Sequence, residues 1–161
     1  MTDIARHEFF MRLAIEQAYL AQQQGEVPVG AILVKDNQVI ASAYNSPIHN
    51  HDPSAHAEIE VLRKAGQVLK NYRLNQCHLY VTLEPCPMCA GAIIQARIEQ
   101  VIFAATDLKG GAAGSKFNLL PSDHRFNHST QVISGILAEE CSHLLSQFFK
   151  DRRAAAKLLK N

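Results

Sequence analysis

The sequence predicts one α/β domain over residues 1–161, with a mixed central sheet of about five strands between two layers of helices. Three observations lead there. Residues 77–83 alternate like a strand, a helical stretch runs from Cys86 to about Ala96, and residues 100–105 are strand-like again. That is the order of a βαβ unit with a parallel pair. Residues 29–35 and 38–44 are β-rich and separated only by Asp36-Asn37, the chemistry of a two-residue hairpin turn. Helix-period stretches stand at both ends, so helices are available to cover both faces of the sheet.

The first helix is expected over residues 4–24, with Phe9, Leu13, Ile15, Ala18, Leu20 and Ala21 as its apolar positions and Gly25 as its end. After the hairpin, residues 45–53 are polar and broken by Pro47 and Pro53, which reads as a loop. Ser54 is the expected N-cap of the next helix, which carries Ala57, Ile59, Val61, Leu62 and Ala65 and is expected to stop at Gly66. Residues 107–115 read as loop, 131–133 as a short edge strand, and 136–159 as a closing helix with Leu137, Cys141, Leu144, Leu145 and Phe148 inward. No internal repeat or low-complexity segment interrupts the chain.

Composition narrows the class. A hydrophobic fraction of 47% with 19% charged residues is ordinary for a globular protein. The apolar run 27–34 is broken by Pro28 and Gly30 and falls far short of the ~18 residues that span a bilayer, so no membrane partner is expected. Residues 1–6 show no basic leader before an apolar core, and a cytoplasmic location is the expectation. In that reducing setting Cys77, Cys86, Cys89 and Cys141 read as ligands or buried thiols rather than disulfides, with Cys77 and Cys141 as core. The net charge of +1 hides an asymmetry: residues 1–62 hold three Lys/Arg against eight Asp/Glu, and residues 63–161 hold thirteen against seven. The densest basic piece, Lys150, Arg152, Arg153, Lys157 and Lys160, fits either a polyanionic partner or a solvated helix end.

The chemistry centres on Leu83-Glu84-Pro85-Cys86-Pro87-Met88-Cys89. Pro87 suits the first position of a helix, so the two thiols fall on one face of a first turn, beside unpaired N–H groups that lower thiol pKa. Taken alone, a C-x-x-C pair is equally a metal, redox or buried-thiol feature. His56 changes the balance, because one imidazole and two thiolates make a three-ligand set that leaves zinc an open position for water. Glu58, two residues from a ligand, is then the natural proton carrier and the expected catalytic residue. Glu84 reads as a buried group that orients its neighbours, with no catalytic role assigned. The glycine-rich run 110–116 lacks the Gly-Lys-Ser/Thr order of a phosphate loop. His49, His51, His124 and His128 read as solvated loop histidines rather than extra ligands.

His56-Ala57-Glu58 followed by Pro85-Cys86-Pro87-Met88-Cys89 matches the H-x-E … P-C-x-x-C signature of zinc-dependent nucleobase deaminases. Nearly end to end, the chain also resembles the bacterial tRNA-specific adenosine deaminases of the cytidine/deoxycytidylate deaminase superfamily. The resemblance is carried by Glu26-Val27-Pro28-Val29-Gly30-Ala31, Tyr44-Asn45, the stretch from His51 through Glu58, and Asn71-Tyr72-Arg73-Leu74. It continues through Leu79 to Cys86, Gly111-Ala112-Ala113-Gly114-Ser115 and Phe148-Phe149-Lys150. Pro87, where relatives often carry another apolar residue, and the divergent segment 116–130 are the departures.

The resemblance implies a cytidine-deaminase-like version of the three-layer fold, one Zn²⁺ per subunit of a homodimer, and hydrolytic deamination of adenosine to inosine at the wobble position of a tRNA anticodon stem-loop. It implies that His56, Cys86 and Cys89 hold the metal and that Glu58 is the acid/base. It further implies that Asn45 and Asp107 meet the flipped base and its sugar, and that Phe149 and Arg152 lie on a helix against the anticodon loop. Asn45 before Ser46-Pro47 also reads as a simple turn opener. Deamination of a free base or nucleoside, and a zinc-stabilised RNA-binding subunit without catalysis, are the competing expectations.

Overall fold

The computed structural model describes residues 1–121, 123 and 125–160. Helix α1 (Asp3–Gln23) opens on Thr2, whose hydroxyl accepts the Ala5 N–H at 3.1 Å. It buries His7, Phe10, Met11, Ala14, Ile15, Ala18 and Ala21. This face is rotated from the expected one, since Phe9 and Leu20 are exposed. The reason lies in strand β1 (Gly30–Lys35), over whose start α1 runs almost in backbone contact. A Cβ on Gly30 would stand 2.0 Å from the Ala14 carbonyl oxygen and 2.5 Å from the Ala18 nitrogen, so only small side chains fit on both partners.

The hairpin to strand β2 (Gln38–Tyr44) turns through Asp36 and Asn37, both at positive φ as a type I′ turn requires. The following loop contains a single helical turn, α2 (Pro47–Asn50). Helix α3 (Ala57–Leu69) is capped by His56 and not by Ser54, whose N–H and hydroxyl instead bond the Asp52 carboxylate. It also passes through Gly66 and ends with Lys70 in the left-handed region, because a glycine inside a helix costs only ~1 kcal/mol. Strand β3 (His78–Leu83), helix α4 (Pro87–Gln95) and strand β4 (Gln100–Ala105) form the expected βαβ unit. The short strand β5 (Gln131–Ile133) and helix α5 (Ala138–Leu159) complete the described residues.

The sheet order is β2-β1-β3-β4-β5, with β1 antiparallel to β2 and β3 while β3, β4 and β5 run parallel. Each central strand is buried on both sides. Ala31, Leu33, Leu79, Val81, Val101 and Phe103 pack with Ala57, Val61 and Ala65 of α3 and Ala90, Ile93 and Ile94 of α4. Ile32, Val34, Tyr80, Ile102 and Ala104 pack on the other side with Phe10, Met11, Ala14 and Cys141. Truncating a fully buried Leu or Phe here to Ala is expected to cost ~2–5 kcal/mol.

Strand polarity decides where function can collect. Leu83 pairs with Ala105 at the C-terminal ends of the parallel strands, and Gly30 pairs with Tyr44 where the antiparallel neighbours meet that same end. Residues leading into β1 and leaving β2, β3 and β4 therefore converge at one edge of the sheet, the usual place for a ligand crevice in an open α/β fold.

Candidate active site and metal centre

Helices α3 and α4 both begin at this edge. Their N-caps, His56 and Cys86, have extended backbones, and the His56 side chain makes no capping bond to its own helix. The two side chains face each other: His56 Nδ1 lies 3.6 Å from Cys86 Sγ and 3.4 Å from Cys89 Sγ. The three donor atoms all fall within 4.8 Å of one another. A tetrahedral zinc with Zn–N of ~2.0–2.1 Å and Zn–S of ~2.3 Å would separate an imidazole nitrogen from a thiolate by about 3.6 Å. The donor spacing and chemistry fit that ion.

The protonation pattern around these donors follows from crowding. Cys86 is pulled down to about 4, first by the hydrogen bond from the Cys89 thiol and then by His56. The same bond, together with burial, pushes Cys89 far up. His56 is raised, chiefly by its hydrogen bond with Cys86, against the opposing effect of burial. A dication among them would reverse the Cys89 direction, since a coordinating thiol gives up its proton. Glu58, in the first turn of α3, is buried to 4% exposure, and burial raises its carboxyl to about 7.

A cavity of about 220 Å³ opens on this cluster, walled by Val27, Val29 and Leu83 and edged by Asn45, His56, Glu58, Glu84, Cys86 and Asp107. Asn45 is nearly buried, and its Oδ1 accepts the Ala57 N–H at 2.7 Å. The bond satisfies an orphan donor of α3 and leaves the Asn45 N–H₂ group for the cavity. Asp107 stands just past β4 and is half-buried, its carboxylate accepting N–H groups of Lys109 and Gly110 at 3.2 Å each.

Of the expected site residues, His56, Glu58, Cys86, Cys89, Asn45 and Asp107 meet at this edge of the sheet. Phe149 and Arg152 do not line the cavity. They sit on α5, where the Arg152 guanidinium stacks 4.8 Å from the Phe148 ring centre and donates to the Gly25 carbonyl at 3.2 Å. This contact ties the basic end of α5 to the segment that leads into the cavity wall at Val27. Cys77 and Cys141 are buried core thiols. His128 bonds the Ile98 carbonyl, His49 and His51 are exposed, and His124 lies outside the described residues.

One role, that of Glu26, is not legible from local sequence, and that of Glu84 is legible only as a buried group that orients its neighbours. Glu26 is 1% exposed, and its carboxylate accepts the N–H groups of Ile48 and His49 at 3.1 and 2.7 Å, shaping the loop beside the site. Its one signal is a lone acid in the apolar run Glu26-Val27-Pro28-Val29. Glu84, 2% exposed, accepts N–H groups of Asp107, Ala113 and Ser115 and the Ser115 hydroxyl.

The MafB19-like deaminase family matches residues 5–153. The tRNA-specific adenosine deaminase of Haemophilus influenzae is 50% identical over 154 residues, covering 95% of this chain and 88% of that protein. The enzyme of the same description from Bacillus subtilis is 46% identical, covering 96% and 95%. Among solved structures, one from studies of A-to-I editing by tRNA:A34 deaminases superposes with a TM-score of 0.82 at 44% identity, over 85% of this chain and 99% of that one. Guanine deaminase from Bacillus subtilis follows at a TM-score of 0.61 and 42% identity, over 68% of this chain and 70% of that one. Near-complete mutual coverage by the first three, on a fold and donor set already consistent with it, shows that the chain belongs to the tRNA-specific adenosine deaminase family.

Proposed function

We propose that this protein converts adenosine to inosine by hydrolysis at the wobble position of a tRNA anticodon. The observation that carries the reading is the buried Glu58 carboxyl beside the His56, Cys86 and Cys89 donors at the floor of a small cavity. A structural zinc site closes its fourth position with another protein ligand and has no use for a proton carrier there.

His56, Cys86 and Cys89 would hold one zinc ion per subunit, which when bound supplies Lewis acidity that makes water a nucleophile near neutral pH. The chain's own contribution is proton traffic and placement. Glu58, poised near neutrality, takes a proton from the attacking water and delivers protons to the ring nitrogen and to the leaving amine. The bond to the water oxygen forms at the purine carbon, the C–N bond breaks, and ammonia leaves. Asn45 presents only N–H donors to the cavity, so it meets an acceptor on the base, while Asp107 stands where the sugar would follow. The cavity is smaller than the ~300–1,000 Å³ of sites that enclose drug-sized ligands, and it accommodates one flipped base with the strand outside.

The anticodon stem-loop is the partner that suits the surroundings. Residues 150–160 are exposed and basic, and Phe149 is 39% exposed, offering phosphate contacts and a stacking face. We place the enzyme in the cytoplasm as a homodimer. An open groove of about 1,180 Å³ runs along α3 and α4, lined by Leu62 and Tyr72 and by the cations Arg63, Lys70, Arg73 and Arg97. No helix among the described residues is long and apolar enough to cross a membrane.

The similarity to guanine deaminase favours a second reading, deamination of a free base. The exposed basic end of α5 opposes it, since a closed small-molecule site has no use for it. Purified zinc-loaded protein incubated with wobble-adenosine tRNA, free nucleosides and guanine separates the two. Inosine in the tRNA with matching ammonia is expected; turnover of the small molecules alone would overturn the first reading.

A further inference from the structure

Among buried charged groups that the mechanism leaves unused, Glu84 stands out. It sits between the end of β3 and the metal-donor turn, and its N–H continues the β3–β4 ladder to the Ala105 carbonyl at 2.8 Å. Its carboxylate meets no cation among the described residues. It instead accepts three backbone N–H groups, from Asp107 at 3.1 Å, Ala113 at 2.9 Å and Ser115 at 3.1 Å, plus the Ser115 hydroxyl. The neighbouring Pro85 carbonyl takes a fourth loop amide, from Ala112 at 2.7 Å. Gly111 completes the clasp, because a Cβ there would stand 2.3 Å from the Glu84 carboxyl and 2.6 Å from the Asp107 carbonyl.

We propose that Glu84 is a positioning residue that locks Asp107 in register with the Cys86 turn, so that the substrate strand and the reacting base are held on one rigid frame. The proposal deepens the deaminase reading and rests on it. The β3–β4 ladder fixes the chain as far as Ala105, but beyond it residues 106–115 form no strand or helix, and Asp107 uses its own carboxylate to close the turn at Lys109 and Gly110. The Glu84 carboxylate is therefore what carries that register on to the Asp107 backbone. A carboxylate is the group required, since four donors converge on two oxygens and a carboxylate supplies acceptors alone.

Glu84→Gln tests which contact matters. An amide oriented to keep Ala113 and Ser115 N–H satisfied turns its N–H₂ toward the Ser115 hydroxyl, which can accept, and toward the Asp107 N–H, which cannot. The loop stays closed while Asp107 loses its acceptor. Gly111→Ala disturbs the same clasp from the other side without removing any hydrogen-bonding group. Both variants are compared with Asp107→Ala and the two double mutants, by kinetics on an anticodon stem-loop bearing wobble adenosine, by zinc content and by amide exchange.

The expected result is a fall in kcat/KM of about tenfold, equal to ~1.4 kcal/mol, for each single variant. The loss lies in KM, zinc content is unchanged, and Asp107 amide exchange is faster. Each effect should disappear in the Asp107→Ala background, as it must if Glu84 acts through that residue. An equal loss with or without Asp107, a loss of zinc, or an Asp107 amide as protected in Glu84→Gln as in wild type would overturn the proposal. A wild-type protein inactive on the RNA would sink the deaminase reading instead, and amide exchange would then decide the Glu84 assignment by itself.

Discussion

Replacing Glu58 by Gln removes a proton carrier without changing the shape of the site. The wild-type carboxyl is raised from 4.5 to about 7, mainly because burial penalises its ionised form. At 1.36 kcal/mol per pKa unit, keeping it ionised costs the folded metal-free protein on the order of 3 kcal/mol at pH 8. The sign follows from linkage: the folded state binds its proton more tightly than the unfolded chain. The advantage is therefore complete below pH 4.5 and is lost as pH rises through about 7. The side-chain amide of the Glu58→Gln variant has no such proton to lose. Urea unfolding of chelator-treated protein should give the variant a stability advantage that grows between pH 5 and pH 8. Turnover of wobble-adenosine RNA should fall by ~10²–10⁴-fold, the usual value of a positioned acid/base. A pH-independent difference in stability would refute the burial argument, and near-normal turnover would refute the catalytic role.

Three further outcomes are expected. Cys86→Ala should lose zinc and lower the melting temperature of protein prepared with metal, as measured by metal analysis and calorimetry, because binding free energy at such a site is folding free energy. Substituting Arg152 and Arg153 together by Ala should reduce the slope of log affinity against log salt by about 1.4, at ~0.7 per single-strand phosphate contact, with zinc content unchanged. Gly30→Ala, driven into the Ala14 carbonyl, should destabilise the fold by about 3 kcal/mol and lower the melting temperature by roughly 10 °C.

The parts of the fold readable in the sequence are those determined by neighbours along the chain. Strand β4 follows from a short continuous run of apolar, β-favouring residues and the hairpin turn at Asp36-Asn37 from turn chemistry, and the structure places both at the residues expected. The buried face of α1 does not follow, because it is selected by contact with Gly30, sixteen residues from Ala14, and that contact favours Ala over larger apolar residues. The Ser54 cap fails for a related reason: Asp52, two residues upstream, captures its hydroxyl first.

The site divides along the same line. His56, Glu58, Cys86 and Cys89 form two short local patterns whose spacing carries their chemistry, and the structure brings both patterns together at the N-termini of α3 and α4. Glu84 is readable as a buried group that orients its neighbours, but those neighbours are not, since Asp107, Ala113 and Ser115 lie 23 to 31 residues away. Phe149 and Arg152 belong to a helix whose distance from the cavity no local pattern encodes, and their bearing on substrate rests on the Arg152 contact with Gly25.

Sequencing tRNA from matched cells with and without this protein would reach the functional claim most directly. Inosine at wobble positions that revert to adenosine when the protein is removed is the expected result. Wobble inosine that persists unchanged in its absence, with no other deaminase present to supply it, would contradict the account.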